Sequence, residues 1–327
     1  MATYKGIKGV KVQSKASDPT ASEAEGTVWY NTPADALKYA IAGAGAWASG
    51  TAINTARAGG ASGGTQTAAF FAGGAKYPPA PVHLAVMEVW NGSTWTEVGN
   101  LTTSRQYVGG DGTSTAAIAA GGRAPPPPSA LGVTEKWNGS SWTEVGNLLT
   151  SRYSDPVFGI STLAVCAGGA SPATGVVEEW DGTSWSEVNN LGTARYASAR
   201  GGTLAAGIIA GGDPQTGKTE TYDGTSWAEV NALNDTRYGV DGCSGDSNTT
   251  AIVFGGVAPG YTTNTETYDG TSWAEVANMG TGFAYRGSAG TKTAAIAIGG
   301  VTTGSSYLTN VEEWNEPVYT IKTVTVS

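Results

Sequence analysis

Apolar positions along this chain come in short continuous runs, and each of six runs ends in a glycine pair. "TAAFFAGG", "TAAIAAGG", "TLAVCAGG", "AAGIIAGG", "TAIVFGG" and "TAAIAIGG" place Gly-Gly at 73–74, 121–122, 168–169, 211–212, 255–256 and 299–300. Continuous runs of this length, bounded by glycine, predict strands buried on both faces. A variable polar stretch follows each pair. Then come an aromatic, a turn and a second aromatic five residues on: Trp90/Trp95, Trp137/Trp142, Trp180/Trp185, Tyr222/Trp227, Tyr268/Trp273 and Trp314/Tyr319. Asn-Gly or Asp-Gly sits inside the first five pairs and signals a hairpin; the sixth carries Asn315-Glu316-Pro317 instead. A two-residue turn would set Trp180 opposite Thr183, with Trp185 diagonal on the same sheet face. A four-residue turn would pair the two tryptophans directly. Either way the rings meet across strands.

Most units also carry an arginine ahead of the glycine-pair run: Arg57, Arg105, Arg152, Arg195 and Arg237. It predicts a further strand, so each unit holds four short strands, a to d, in about 40–50 residues, the size of a propeller blade. One such hairpin cannot bury its apolar face alone, and the next copy supplies the cover.

These residues resemble the kelch family, over about residues 45–327. The resemblance rests on the arginine, the strand ending in Gly-Gly, the "VEEW" or "TETY" strand and the tryptophan beyond it. It implies an all-β, closed kelch-like β-propeller of six or seven four-stranded blades. Trp47 lies 48 residues before Trp95 and precedes "INTAR", as later tryptophans precede "NLTTSR". A seventh blade would use Trp47 as strand d, 37–41 as c, 26–32 as b and 9–14 as a. The expected organisation is then an N-terminal basic arm over 1–26 and a propeller over 27–327, with 27–52 a degenerate first blade or accessory hairpin. The alternative is six blades plus an N-terminal docking module, since that region lacks a glycine pair and "TPADALKYAIA" could open a helix capped by Thr32 with Pro33 at its first position.

Charge narrows the partners. The chain has 327 residues, net charge −9 and only 14% charged residues. Lys5, Lys8, Lys11 and Lys15 precede the first acid, Asp18, so the body is acidic and nucleic-acid phosphate is not the expected partner. No signal-peptide pattern and no membrane-spanning run is read, so membrane insertion is not expected. Two cysteines, Cys166 and Cys243, are too few for a disulfide framework; Cys166, in an apolar run, reads as a buried thiol. A lone histidine, His83, with two separated cysteines does not make a metal site. No cofactor, metal or catalytic residue is expected. "DGTSW" partly resembles the Asp-box of sialidase propellers, itself a structural turn. The adjacent acids Glu178/Glu179 and Glu312/Glu313 point to opposite strand faces and read as solvated or capping residues.

The recurring arginines have two readings: hydrogen bonding to loop carbonyls between blades, or an anion-binding ring about the axis. Variation marks the other candidate site. The b–c loops differ in every unit and share a face with the d–a connections, while the uniform c–d turns lie opposite. A rigid scaffold with individual loops on one face suits recognition. Tyr77, His83, Arg123, Tyr261 and Tyr307 are the candidate ligand-binding residues there.

The N-terminal "KVQSKASDPTASEAEGTVWYNTPADALKY", with "AGAWASGTAINTAR" after it, resembles the start of tail-fibre-like and other structural proteins of marine bacteriophages. That resemblance implies a non-enzymatic virion component, a tail-fibre, baseplate or decoration protein. It would be made in the host cytoplasm and released by lysis. It would attach to other virion proteins through its N-terminal segment, present the propeller to host surface glycan or protein, and sit on the particle as a homo-oligomer. The competing readings are an intracellular bacterial adaptor that binds a protein, and a carbohydrate-active propeller enzyme.

Overall fold

A computed structural model describes residues 12–19, 27–42, 45–77, 82–125, 129–154, 156–170, 172–243, 245, 247–316 and 319–324. The chain divides into two compact units, residues 47–315 and residues 1–46 with 316–327.

The larger unit is a β-propeller. Its first five sheets are antiparallel, with each strand beside the next. The first joins Ala61–Thr65, Ala68–Ala72, Met87–Trp90 and Trp95–Glu97. The second to fifth run from Gly109–Thr113 to Trp142–Glu144, Val157–Ile160 to Trp185–Val188, Ala199–Thr203 to Trp227–Val230 and Asp241–Cys243 to Trp273–Val276. The sixth joins Gly287–Gly290, Ala294–Ile298 and Val311–Asn315 to Ala46–Ser49, from the other end of the chain. The innermost strands pack side by side from the first sheet to the sixth, and the sixth returns to the first. Of the two expected ring sizes, the inner strands therefore close the smaller.

Trp47 is a d-strand tryptophan, as expected, but it completes the last sheet. Its Nε1 donates to Thr265 Oγ1 of the fifth sheet at 3.0 Å. Trp185 does the same to Thr134 and Trp273 to Thr219, each one sheet back. Trp314 packs against Trp47, with ring centroids 5.8 Å apart. Tyr319–Thr323 lies in the smaller unit, antiparallel to Ala36–Ala42.

The hairpin has the four-residue turn. Trp90 stands opposite Trp95 and Trp180 opposite Trp185. Asp181 is therefore no left-handed turn residue. Its Oδ1 accepts from Thr183 N and Ser184 N, both at 2.8 Å, and only Gly182 takes positive φ, at 99°. Those amides, Ser184 first, hold the Asp181 carboxyl below its usual range. The two tryptophans divide the work: Trp180 Nε1 donates to Ser161 O within its own sheet, while Trp185 reaches the sheet before it.

The core lies between sheets. Ala61, Phe70, Ala72 and Met87 meet Val108, Ala117, Ala119, Trp137 and Trp142. Ala69, Phe71, Trp90 and Trp95 meet Ala289, Ile296, Ile298 and Val311 across the closure. Glycine and alanine let the inner strands approach: a Cβ on Gly110 would sit 2.6 Å from that of Ala61. Cys166 is fully buried, as expected.

The smaller unit is a four-stranded sheet in the order Gln13–Lys15, Val28–Asn31, Ala36–Ala42, Tyr319–Thr323. Its first pairing is parallel and the others antiparallel. No helix forms at 33–42. Asn31 Oδ1 accepts from Ala34 N at 2.9 Å and turns the chain back, so 36–42 pairs as a strand. Asp18 ties the unit together, accepting from Lys38 Nζ (2.6 Å), Asn31 Nδ2 (2.6 Å) and Trp29 Nε1 (3.1 Å). The hydrogen bonds of Lys38 and Asn31 hold its carboxyl below the ordinary range. Among the described residues no helix is long and apolar enough to cross a membrane.

Candidate functional site

The repeated arginines are enclosed in their own sheets. Arg57 meets Glu88 at 2.5 Å, Arg105 meets Glu135 at 2.8 Å and Arg152 meets Glu178 at 2.9 Å. Arg195 with Glu220 (3.1 Å) and Arg237 with Glu266 (2.8 Å) repeat the arrangement. Both partners are buried. The carboxylate also caps the incoming d–a connection: Glu88 accepts from Asn54 N and Thr55 N, and Glu178 from Leu149 N and Thr150 N. The arginines reach loop carbonyls besides, such as Arg152 to Val176 O at 2.9 Å. Each cation is thus matched within its sheet and is not presented at the axis as an anion-binding ring. The first acid of each "EE" or "ET" strand is the buried partner, so of the two expected roles Glu178 and Glu312 are capping and not solvated. Arg286, with Glu312 at 3.6 Å, is a sixth member. Its tyrosine precedes it ("AYR") where those of Arg105, Arg152, Arg195 and Arg237 follow, which hid it from the spacing.

Above these pairs, on the face of the b–c loops, the d–a connections meet at the axis. One residue per sheet takes positive φ there: Gly59, Tyr107, Ser154, Ala197, Gly239 and Tyr285. Their backbones bond around the opening. Gly59 N donates to Tyr285 O, Tyr285 N to Gly239 O, Gly239 N to Ala197 O, Ala197 N to Ser154 O and Ser154 N to Tyr107 O, all at 2.9–3.0 Å. Val108 N to Gly59 O, at 3.2 Å, completes the ring.

Two of the six left-handed residues are tyrosines, an aromatic in a backbone region costing about 1–2 kcal/mol. Glycine makes their room: a Cβ on Gly59 would stand 2.9 Å from Tyr107 Cδ1, and one on Gly239 3.2 Å from Tyr285 Cζ. The Tyr107 ring lies 5.3 Å from that of Tyr285 and 6.1 Å from that of Tyr153. Tyr196 donates its phenol to Asp213 Oδ2 at 2.6 Å. Burial pushes the Tyr107 phenol up to about 12 and raises that of Tyr285 as well, so both rings present a neutral hydroxyl.

Sequence-chosen loop residues partly join this mouth. Arg123 bridges Gln106 and lies over the Tyr153 ring at 5.7 Å. Tyr261 and Tyr307 act electrostatically on Tyr107 and on each other. His83 pairs with Ala75 in a short hairpin, and its pKa is lowered by burial and by Arg123, leaving a neutral imidazole. Tyr77, at the end of that hairpin, is exposed and makes no recorded contact with the mouth. Tyr107, Tyr153, Tyr196, Tyr238 and Tyr285 escaped the sequence reading. Their signal was a tyrosine one or two residues from five of the six arginines, Arg57 excepted.

Below the mouth, Arg200 crosses the axis. Its Nε donates to Val157 O at 2.8 Å and its Nη2 to Gly110 O at 2.9 Å, with Ser62 O at 3.3 Å. On the mouth side a space of about 60 Å³ is lined by Tyr107, Tyr285, Asp241 and Arg200. On the other side a cavity of about 600 Å³ opens on the a–b turns. Among the described residues no group of three or more His, Cys, Asp or Glu could hold a metal ion.

No family model and no curated protein sequence matches the chain. Among solved structures, the one titled "Structure of YjhT" is similar at a TM-score of 0.67 and 12% identity, over 82% of this chain and 99% of that one. At that identity the likeness shows the fold alone, and it fits a kelch-like propeller.

Proposed function

We propose that the chain is a non-enzymatic structural component of a bacteriophage particle, a tail-fibre, baseplate or decoration protein, whose tyrosine-lined face binds host surface glycan or protein. The observation that carries the binding role is the mouth itself. Tyrosine rings, two of them held in left-handed backbone, surround one opening on the face whose loops vary. Aromatic faces with neutral hydroxyls suit a hydroxyl-rich or amide-rich surface: ring stacking supplies area and the phenol both donates and accepts. The acidic net charge works against a polyanionic ligand.

The virion role rests on the leader resemblance. Asp18, Trp29, Asn31 and Lys38, which belong to the motif behind that resemblance, converge on one hydrogen-bonded cluster. This supports a folded attachment module in place of a loose arm. Immunogold microscopy of purified particles with antibody to this chain tests it. Label on tail tips or fibres is expected for host recognition, and label over the capsid would make it a decoration protein. Particles without label would overturn the virion assignment.

A further inference from the structure

The cavity on the opposite face, that of the a–b turns, is built around a departure from the repeat. At one register position the six inner strands carry Ser62, Gly110, Val157, Arg200, Gly242 and Ser288. Five are small or apolar and one is arginine. A long cation at a position that symmetry leaves open fills the axis and floors the cavity.

Arg200 is rigidly held. Carbonyls of three other inner strands, those of Ser62, Gly110 and Val157, accept from its Nε and Nη2, with Ser62 Oγ at 3.4 Å. No acceptor among the described residues takes its Nη1. Asp241, on the mouth side, acts on it electrostatically. Among the described residues one acid, Asp111, lines the cavity, and backbone amides occupy both its oxygens: Gly112 N on Oδ1 at 2.7 Å and Gly159 N on Oδ2 at 3.0 Å. The walls otherwise combine glycine and alanine backbone, serine and threonine hydroxyls, and the carbon of Ile160, Leu163 and Leu204 at the turns. Leu163 and Ile160 are about half exposed.

We propose that this cavity is a second binding site, for a small organic monocarboxylate with an apolar body. Arg200 would take the carboxylate through Nη1, and the leucine and isoleucine side chains would take the body. A single negative charge fits because Arg200 is the one cation of the described lining and the oxygens of Asp111 are already held by backbone amides. A guanidinium already fixed by carbonyls loses little freedom on pairing, so the hydrogen bond to a carboxylate is favoured. Arg200 also borders the small space beneath the tyrosine mouth, but none of the tyrosines lines this cavity.

Calorimetric titration of the whole chain with 2-naphthoate, and with neutral 2-naphthamide as control, tests the proposal. Naphthoate should bind with a Kd of about 1 mM or tighter, and the amide about 10-fold more weakly. Arg200→Gln should weaken naphthoate about 10-fold. Because Arg200 also ties strands together, Leu163→Asp is the deciding variant: it adds a repelling carboxylate at the exposed rim and should weaken binding similarly with an unchanged melting curve. Tyr107→Gly, on the other face, should bind naphthoate as the unaltered chain does. Absence of naphthoate binding, equal binding of acid and amide, indifference to Leu163→Asp, or loss in Tyr107→Gly would each overturn it.

Discussion

Six arginines repeat in this propeller, and Arg200 at its axis does not belong to the repeat. The repeated ones, Arg57 through Arg286, lie inside their sheets, each against a glutamate of strand c that also caps the connection from the previous sheet. Arg200 occurs once, crosses the axis and bonds to backbone carbonyls only, save for one serine hydroxyl. The same side chain thus serves as mortar where it recurs and as a distinguishing group where it stands alone. The tyrosines follow the same logic. Left-handed backbone recurs in all six sheets, but only two of the six positions place an aromatic there.

The sharpest way to break this contrast is to remove one repeated partner. Glu135→Gln leaves Arg105 buried without its counter-charge, and the uncompensated ion should cost about 3–5 kcal/mol in urea unfolding. A cost below ~1 kcal/mol would mean that the pairs are not what holds the connections.

The unrepeated acid on the axis behaves differently. Burial pushes the Asp241 carboxyl from 3.8 up to about 7, against the pull of Arg200 and of the Arg286 amide, whose nitrogen donates at 2.6 Å. The folded state therefore holds this proton more tightly than the unfolded chain. Its contribution is full below about pH 4 and is lost as pH rises through about 7. Asp241→Asn should remove that fall, narrowing the stability difference between pH 5 and pH 8 by at most about 2.5 kcal/mol. Melting curves of both proteins at the two pH values check it, and identical pH dependence would refute it.

Smaller effects sharpen the contrast on the uniform face. Trp185→Phe keeps the ring pair with Trp180 but deletes the bond to Thr134 of the neighbouring sheet, at a cost of about 1–3 kcal/mol. Asp181→Ala removes only the exposed turn acceptor and should lower the unfolding midpoint by less than Trp185→Phe does. If the two variants reverse in order, the division of labour between the tryptophans and their turn is mistaken.

Much of the scaffold was legible because it repeats. The glycine pairs, the arginine and the Asn-Gly or Asp-Gly hairpins recur at nearly fixed steps, and Trp47 stands at the step expected of a strand d. Ring closure was not legible. Spacing cannot say whether Trp47 completes a new blade or the last one, because that depends on where Tyr319 pairs. It joins Ala42. The site was harder to read for the same reason that the scaffold was easy. Tyr107 and Tyr285 sit one position later than Tyr153, Tyr196 and Tyr238, so the five make no clean period. Arg200 stands in "ASARGG" with nothing to show that its side chain faces the axis until strand register is known.

The central claim is that the unrepeated tyrosine mouth recognises the host while the repeat only builds the ring. Binding of purified protein to host cells by Tyr107→Gly tests it most directly, since glycine keeps the left-handed backbone, φ 55°, and removes only the ring. The account predicts at least about a 10-fold loss of binding, as for removal of a central aromatic anchor, with an unchanged unfolding midpoint. Undiminished binding by a folded Tyr107→Gly protein would contradict it.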